Sequence, residues 1–166
     1  DVITYNAAVS VCEKGSQWQE ALAMFSDMRS KRVERDVITF SAAVSACQKG
    51  NRWQDALGIF VDMRRRCVAP NVIAYNAAVS ACEKGAQGHQ ALDMVLAMRL
   101  RSLAPDVITY DGVISACEKN AQWQEALGVF SVMSMRHVAP NVITSNAAIS
   151  ACEKGARWQE ALGMFP

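Results

Sequence analysis

Two classes of side chain in this sequence have the types to do chemistry. The first is sulfur and imidazole: six cysteines and two histidines, His89 and His137. Cys12, Cys47, Cys82, Cys117 and Cys152 recur every 35 residues. A structural zinc site needs closely spaced ligands such as Cys-x-x-Cys, and the sequence has no such pair. A disulfide needs Cα atoms within about 7 Å. Equivalent positions of stacked helices lie roughly 8–10 Å apart or more. The five cysteines therefore read as small core residues in a reducing compartment. Cys67, off the period and after Arg64-Arg65-Arg66, reads as a loop thiol. The histidines have no recurring nucleophile or carboxylate beside them, and no phosphate-cradling glycine loop is present. Neither catalysis nor a metal, cofactor or small-molecule substrate is expected.

The second class is a series of short polar residues on the same period. Asn6, Ser41, Asn76, Asp111 and Asn146 follow Tyr5, Phe40, Tyr75, Tyr110 and Ser145. Their drift is confined to Asn, Ser and Asp, whereas Ser10, Ser45, Ser80, Ser115 and Ser150 nearby do not vary. A second series, Asp36, Asn71, Asp106 and Asn141, precedes each Val-Ile. Amides, hydroxyls and carboxylates at fixed places suit recognition by hydrogen bonds.

What must position them is a repeated unit. In the first copy Tyr5, Ala8, Val9 and Cys12 have helical spacing, which predicts helix A over about residues 4–14. Lys14 then Gly15 read as its end, with the glycine free to turn left-handed. Trp18, Ala21, Leu22, Phe25 and Met28 form a second apolar stripe, which predicts helix B over about 17–31. Ala-Pro closes three of four linkers, at Pro70, Pro105 and Pro140, and proline disfavours helix in the residue before it. One hairpin cannot bury its apolar face, so neighbours must stack. The expectation is one all-α array with a 35-residue period: units 2–36, 37–71, 72–106 and 107–141, and a partial unit 142–166, segment of a longer array. A right-handed solenoid of helical hairpins follows. On helix A, Asn6, Ser10 and Glu13 make a polar stripe that suits a groove lining. Trp18, Trp53, Trp123 and Trp158 lie on the apolar stripe of helix B and read as packing. Gly88 stands in that place in the third unit, where a packing defect is expected. Gly112 weakens its helix by roughly 1 kcal/mol.

Composition limits the partners. The chain is 51% apolar with a net charge of +1, so no strong basic excess announces nucleic acid. No apolar run approaches the ~20 residues of a membrane span, and no membrane partner is expected.

At these residues the sequence resembles the pentatricopeptide repeat family. The carriers are the 35-residue period, the Val-Ile-Thr-Tyr-Asn opening, the Ala-Leu-x-x-Phe-x-x-Met helix (Ala21, Leu22, Phe25, Met28) and the Ala-Pro-Asp/Asn close. The likeness runs through the whole chain. The tetratricopeptide family has a 34-residue period and a Trp-x-x-Leu-Gly-x-x-Tyr first helix, missing here.

The resemblance implies single-stranded RNA binding, one base per repeat, with no enzyme activity. It implies base-reading pairs Asn6 with Asp36, Ser41 with Asn71, Asn76 with Asp106, and Asp111 with Asn141; Asn146 is a reader whose partner lies past the last residue. By the same resemblance Asn with Asp prefers uracil and Ser with Asn adenine, giving 5′-U-A-U-N-3′. Ile3, Ile38, Ile73, Ile108 and Ile143 would clamp bases, with packing at least half of their role. Lys14, Lys49, Lys84, Lys119 and Lys154 would face phosphates, although a lysine near a helix C-terminus also serves the helix dipole. Family membership further implies a mitochondrial or chloroplast setting in RNA processing, stability or translation, with protein partners left to the rest of the array. Two rival readings stand beside it: a tetratricopeptide-like scaffold whose polar groove grips a peptide, and an array too short or degenerate to bind.

Overall fold

The computed structural model describes residues 1–163, apart from the side chain of Leu162. Among the described residues it is all helix: α1 (Val2–Lys14), α2 (Trp18–Ser30), α3 (Val37–Lys49), α4 (Trp53–Arg65), α5 (Val72–Lys84), α6 (Gly88–Leu100), α7 (Val107–Lys119), α8 (Trp123–Met135), α9 (Val142–Lys154) and α10 (Trp158–Leu162). Two compact units form, Asp1–Ala81 and Cys82 onward. In the first, α1 packs on α2 and α3, α2 on α3, and α3 on α4. In the second, α7 packs on α6, α8 and α9, α8 on α9, and α9 on α10.

Helix A begins at Val2, earlier than the apolar stripe alone predicts, because the Asp or Asn before it caps the first turn. Asp1 accepts from the Thr4 amide at 2.9 Å, and Asp36 from the Thr39 amide at the same distance. Asp36 with Thr39, Asp106 with Thr109 and Asn141 with Thr144 form reciprocal capping boxes. Such a cap is worth about 1 kcal/mol. Helix B has no side-chain cap; Glu20, Asp55 and Glu125 in its first turn instead face the positive dipole end. Helix α7 runs unbroken through the buried Gly112.

The turn after helix A differs from expectation. Gly15 has φ −78°, and the left-handed residue is the next one, Ser16 at φ 56°. The Gln17 amide reaches the Cys12 carbonyl at 2.8 Å and the Ser16 amide the Glu13 carbonyl at 3.2 Å, which closes a Schellman motif. Asn51, Ala86, Ala121 and Ala156 repeat the positive φ. The glycine is needed for space. A Cβ at Gly50 would sit 2.3 Å from Trp18 Cδ1, and one at Gly155 2.4 Å from Trp123 Cδ1. Trp18 and Trp123 thus lie on the backbone at the end of the next helix A.

Gly88 brings a second correction, since no void replaces the missing tryptophan. A Cβ there would meet Gln122 Oε1 at 2.0 Å. Asn120, where Gly50 and Gly155 stand in other repeats, donates to Gln122 Oε1 at 2.9 Å, and the Gln122 amide nitrogen lies 2.8 Å from His89 Nδ1. A polar cluster fills the space that tryptophan on glycine fills elsewhere.

The core is apolar and aromatic. Phe25 meets Phe40 edge-on at 5.3 Å between centroids, and Phe60 meets Tyr75 at 5.1 Å. Met28, Met63, Met98 and Met133 are fully buried. The first linker has Glu34-Arg35 where others have Ala-Pro. The Arg35 guanidinium lies 4.3 Å from the Phe25 ring centroid and 3.7 Å from Asp62, its side chain only 7% exposed. All six cysteines are free; Cys47, Cys82, Cys117 and Cys152 are buried, Cys12 is half-buried and Cys67 exposed. Burial pushes the Cys47 and Cys117 thiols up to about 11 and Cys82 to about 12. These thiols stay protonated near neutral pH and are poor nucleophiles.

Candidate functional site

Helix A and the cap of the next helix A bring the two polar series together. Asn6, one turn into α1, donates from Nδ2 to both Asp36 carboxylate oxygens, at 3.0 and 3.1 Å. Ser41 donates its one proton to the Val37 carbonyl at 2.6 Å, and its Oγ lies 3.2 Å from Asn71 Oδ1. In the second unit Asn141 donates from Nδ2 to Asp111 Oδ2 at 2.8 Å. Asn76 occupies the same place on α5, and Asp106 caps α7. Asn146 lies exposed on α9.

Two features of these residues are visible only in the fold. Asp36 and Asn141 are helix caps as well as partners of the preceding unit's polar residue. The first members are also less open than a groove stripe implies: Asn6 is 9% exposed and Ser41 5%. They face the junction between successive helices A and offer only their edges. Burial raises the Asp36 carboxyl, but hydrogen bonds from Thr39 and Asn6 outweigh it and hold it below the ordinary carboxylate range. The site therefore presents an anion next to an oriented amide.

The isoleucines are not core. Ile3, Ile38, Ile73, Ile108 and Ile143 are 53–74% exposed, which corrects the expectation that packing supplies half of their role. They sit at the second position of each helix A, one turn before the polar residue. An exposed aliphatic beside hydrogen-bonding groups can cover the face of a planar ligand.

The lysines are engaged by the neighbouring repeat. Lys49 Nζ lies 2.5 Å from Glu13 Oε1, Lys119 Nζ 2.8 Å from Glu83 Oε1, and Lys154 Nζ 2.6 Å from Glu118 Oε1. Lys49 and Lys154 also donate to the Glu13 and Glu118 backbone carbonyls, both at 3.3 Å. They thus serve the C-terminal end of the preceding helix A, not of their own. Lys14 and Lys84 are exposed at the same place. Burial raises the Glu118 carboxyl, but Lys154 and Ser150 outweigh it and hold it low. Ser150 donates to Glu118 at 3.0 Å, a reason for that serine to stay fixed.

Among the described residues no group of three or more His, Cys, Asp and Glu is placed to hold a metal ion. No helix among them is long and apolar enough to cross a membrane.

A PPR repeat family profile matches residues 1–49 and 105–154, and a PPR repeat profile matches 38–68. The chain belongs to the PPR repeat family. Solved PPR structures share the fold. The PPR domain of Arabidopsis thaliana protein-only RNase P 1, in complex with tRNA, superposes with a TM-score of 0.87 at 16% identity, over 98% of this chain and 86% of that one. PPR10 from maize gives 0.69 at 28% identity, and PPR10 in complex with an 18-nucleotide psaJ RNA element gives 0.74 at 21%. The present chain spans 24% of the length of PPR10. The ribonuclease P likeness falls on that protein's PPR domain. A search of curated proteins returned no match.

Proposed function

We propose that the chain is a sequence-selective single-stranded RNA-binding module that reads about one base per PPR repeat. The observation that carries this reading is the contact between the two polar series. Two of the pairs, Asn6–Asp36 and Asp111–Asn141, are hydrogen-bonded side chain to side chain across a repeat junction, and in a third Ser41 Oγ lies 3.2 Å from Asn71 Oδ1. A peptide groove has no need of such coupling, whereas discrimination of one base edge requires donors and acceptors held in fixed orientation. The RNA in the PPR10 and protein-only RNase P 1 complexes supports the same partner class. The isoleucines flank the base and the helix-A lysines meet phosphates.

In this reading Asn6 with Asp36 takes uracil, Ser41 with Asn71 adenine, and Asn76 with Asp106 uracil. The chain acts by holding a short stretch, so that nucleases are blocked or an RNA fold is opened. The proposed setting is an organelle, mitochondrion or chloroplast, and transcript processing, stability or translation.

Selection of ligands from a random RNA pool tests the reading, followed by the same selection with Ser41→Asn and Asn71→Asp together. The expected result is a U-A-U-containing consensus whose second base moves from adenine toward uracil. No enrichment of RNA, or a double variant that changes no single base preference, would overturn the assignment.

A further inference from the structure

The reading pair has a third member, contributed by the unit that follows. Thr39 Oγ1 carries a single proton. It lies 2.5 Å from Asn6 Oδ1 and 3.0 Å from Asp36 Oδ1, and it accepts from the Asp36 amide at 3.3 Å. The shortest contact takes the proton, which therefore crosses the repeat junction. The second unit repeats the arrangement with a different reader: Thr144 donates to Asp111 Oδ1 while Asn141 donates to Asp111 Oδ2. An amide and a carboxylate alike have one oxygen occupied by the threonine.

One internal comparison separates this contact from plain helix capping. Thr39 and Thr144, which follow a reader, are fully buried. The corresponding position after Ser41 is Ala74, also buried, where the cap on Asn71 keeps only the backbone contact at 2.9 Å. The hydroxyl is missing where the reader is itself a hydroxyl, which has no oxygen-against-nitrogen orientation to fix.

Resting on the RNA reading above, we propose that Thr39 and Thr144 are positioning residues of the base-reading site. Each holds one oxygen of the preceding reader, and Ala74 leaves Ser41 free of that lock. With Asn6 Oδ1 held by Thr39 and one Nδ2 proton held by Asp36, the remaining Nδ2 proton is the donor offered to a base carbonyl.

The test measures binding of single-stranded RNA oligonucleotides that differ in one base. Ser41→Asn with Asn71→Asp gives a partly oriented asparagine, and adding Ala74→Thr raises its uracil-over-adenine ratio about fivefold, the worth of one hydrogen bond. Thr39→Val lowers the ratio at the base read by Asn6 by about the same factor and leaves other positions unchanged, and Thr39→Ser restores it. A purely structural threonine predicts instead a lower melting temperature for Thr39→Val with every base ratio intact, and that result overturns the proposal. If Thr39→Val does not fold, the Ala74→Thr arm decides alone. A double variant that shifts preference, with no further gain from Ala74→Thr, sinks this inference and spares the RNA reading. A double variant that shifts nothing sinks both.

Discussion

Single side chains here carry two duties, and their physical chemistry separates the duties. Asp36 caps α3 and partners Asn6, and its carboxyl is held below the ordinary range. A depressed folded pKa contributes stability that is present above the unfolded value near 4 and is lost as pH falls through the folded value. Urea unfolding at pH 6 and pH 3 should therefore show a larger loss for the native chain than for Asp36→Asn, since Asn141 shows that asparagine serves as a cap here. Equal losses in the two chains would refute the coupling. Tyr75 gives the opposite case. Its ring is fully buried and its hydroxyl has no hydrogen-bond partner among the described residues, whereas Phe40 fills the same place in the preceding repeat. Removing a buried unsatisfied hydroxyl costs nothing and relieves a penalty of about 1 kcal/mol or more. Tyr75→Phe should hold or raise the thermal midpoint, and a drop of several degrees would show that the hydroxyl is satisfied. The polar pairs were legible because their members drift on a fixed period among Asn, Ser and Asp. Thr39 was not, because an unvarying Val-Ile-Thr looks like scaffold until its hydroxyl is seen to cross the junction.

At the scale of elements, turn geometry tests how well patterning translates into structure. The two apolar stripes place α1 and α2 to within two residues, and the 35-residue period repeats them along the chain. The role of the glycine did not follow from pattern, because glycine at a helix end has two uses that look alike in sequence. Here a residue such as Ser16 takes the left-handed conformation, while Gly50 clears space for Trp18. The same substitution should therefore have opposite consequences at two equivalent positions. Gly50→Ala forces a Cβ into the indole and should cost about 1–3 kcal/mol by overpacking. Gly15→Ala meets only an ordinary contact at 3.4 Å and should be tolerated or mildly stabilising. Chemical denaturation of both variants checks the pair of outcomes. The filling of the space at Gly88 is hidden in the sequence for a related reason: the compensating Asn120 and Gln122 come from the next hairpin, and one missing tryptophan in a repeat says nothing about what its neighbour supplies.

Across the molecule the lysines and glutamates set how charge meets a polyanion. A chain of net charge +1 has little long-range attraction for RNA, and its helix-A lysines are already paired with Glu13, Glu83 and Glu118. These pairs are partly exposed and each is worth little in stability. A phosphate that approaches must draw the lysine away from a carboxylate that repels it. Glu13→Gln, Glu83→Gln and Glu118→Gln should each tighten RNA binding roughly two- to fivefold at low salt, with little change in melting temperature. The triple variant should show a steeper salt dependence than the native chain, whose log–log slope stays no steeper than roughly −3.5 for five phosphate contacts. Unchanged affinity in the triple variant would place the phosphates away from these lysines. Sequence showed the lysines and hid the glutamates' role, since Glu13 and Lys14 are neighbours in the chain while the pairing runs 36 residues on to Lys49.

The threonine contact reaches into how such arrays can be rearranged. Asn6 and Thr39 are 33 residues apart in a 35-residue period, so each three-membered site spans almost a whole repeat and begins just after the previous one ends. A crossover between two gene copies anywhere in a linker joins a reader from one parent to the cap and threonine of the other. Seams that leave both neighbouring sites whole fall between Thr39 and Ser41, inside α3. On the proposed RNA reading, linker recombination would create hybrid specificities at the junction, and grafted repeats would bring their meaning with them only when the cut is made within the helix.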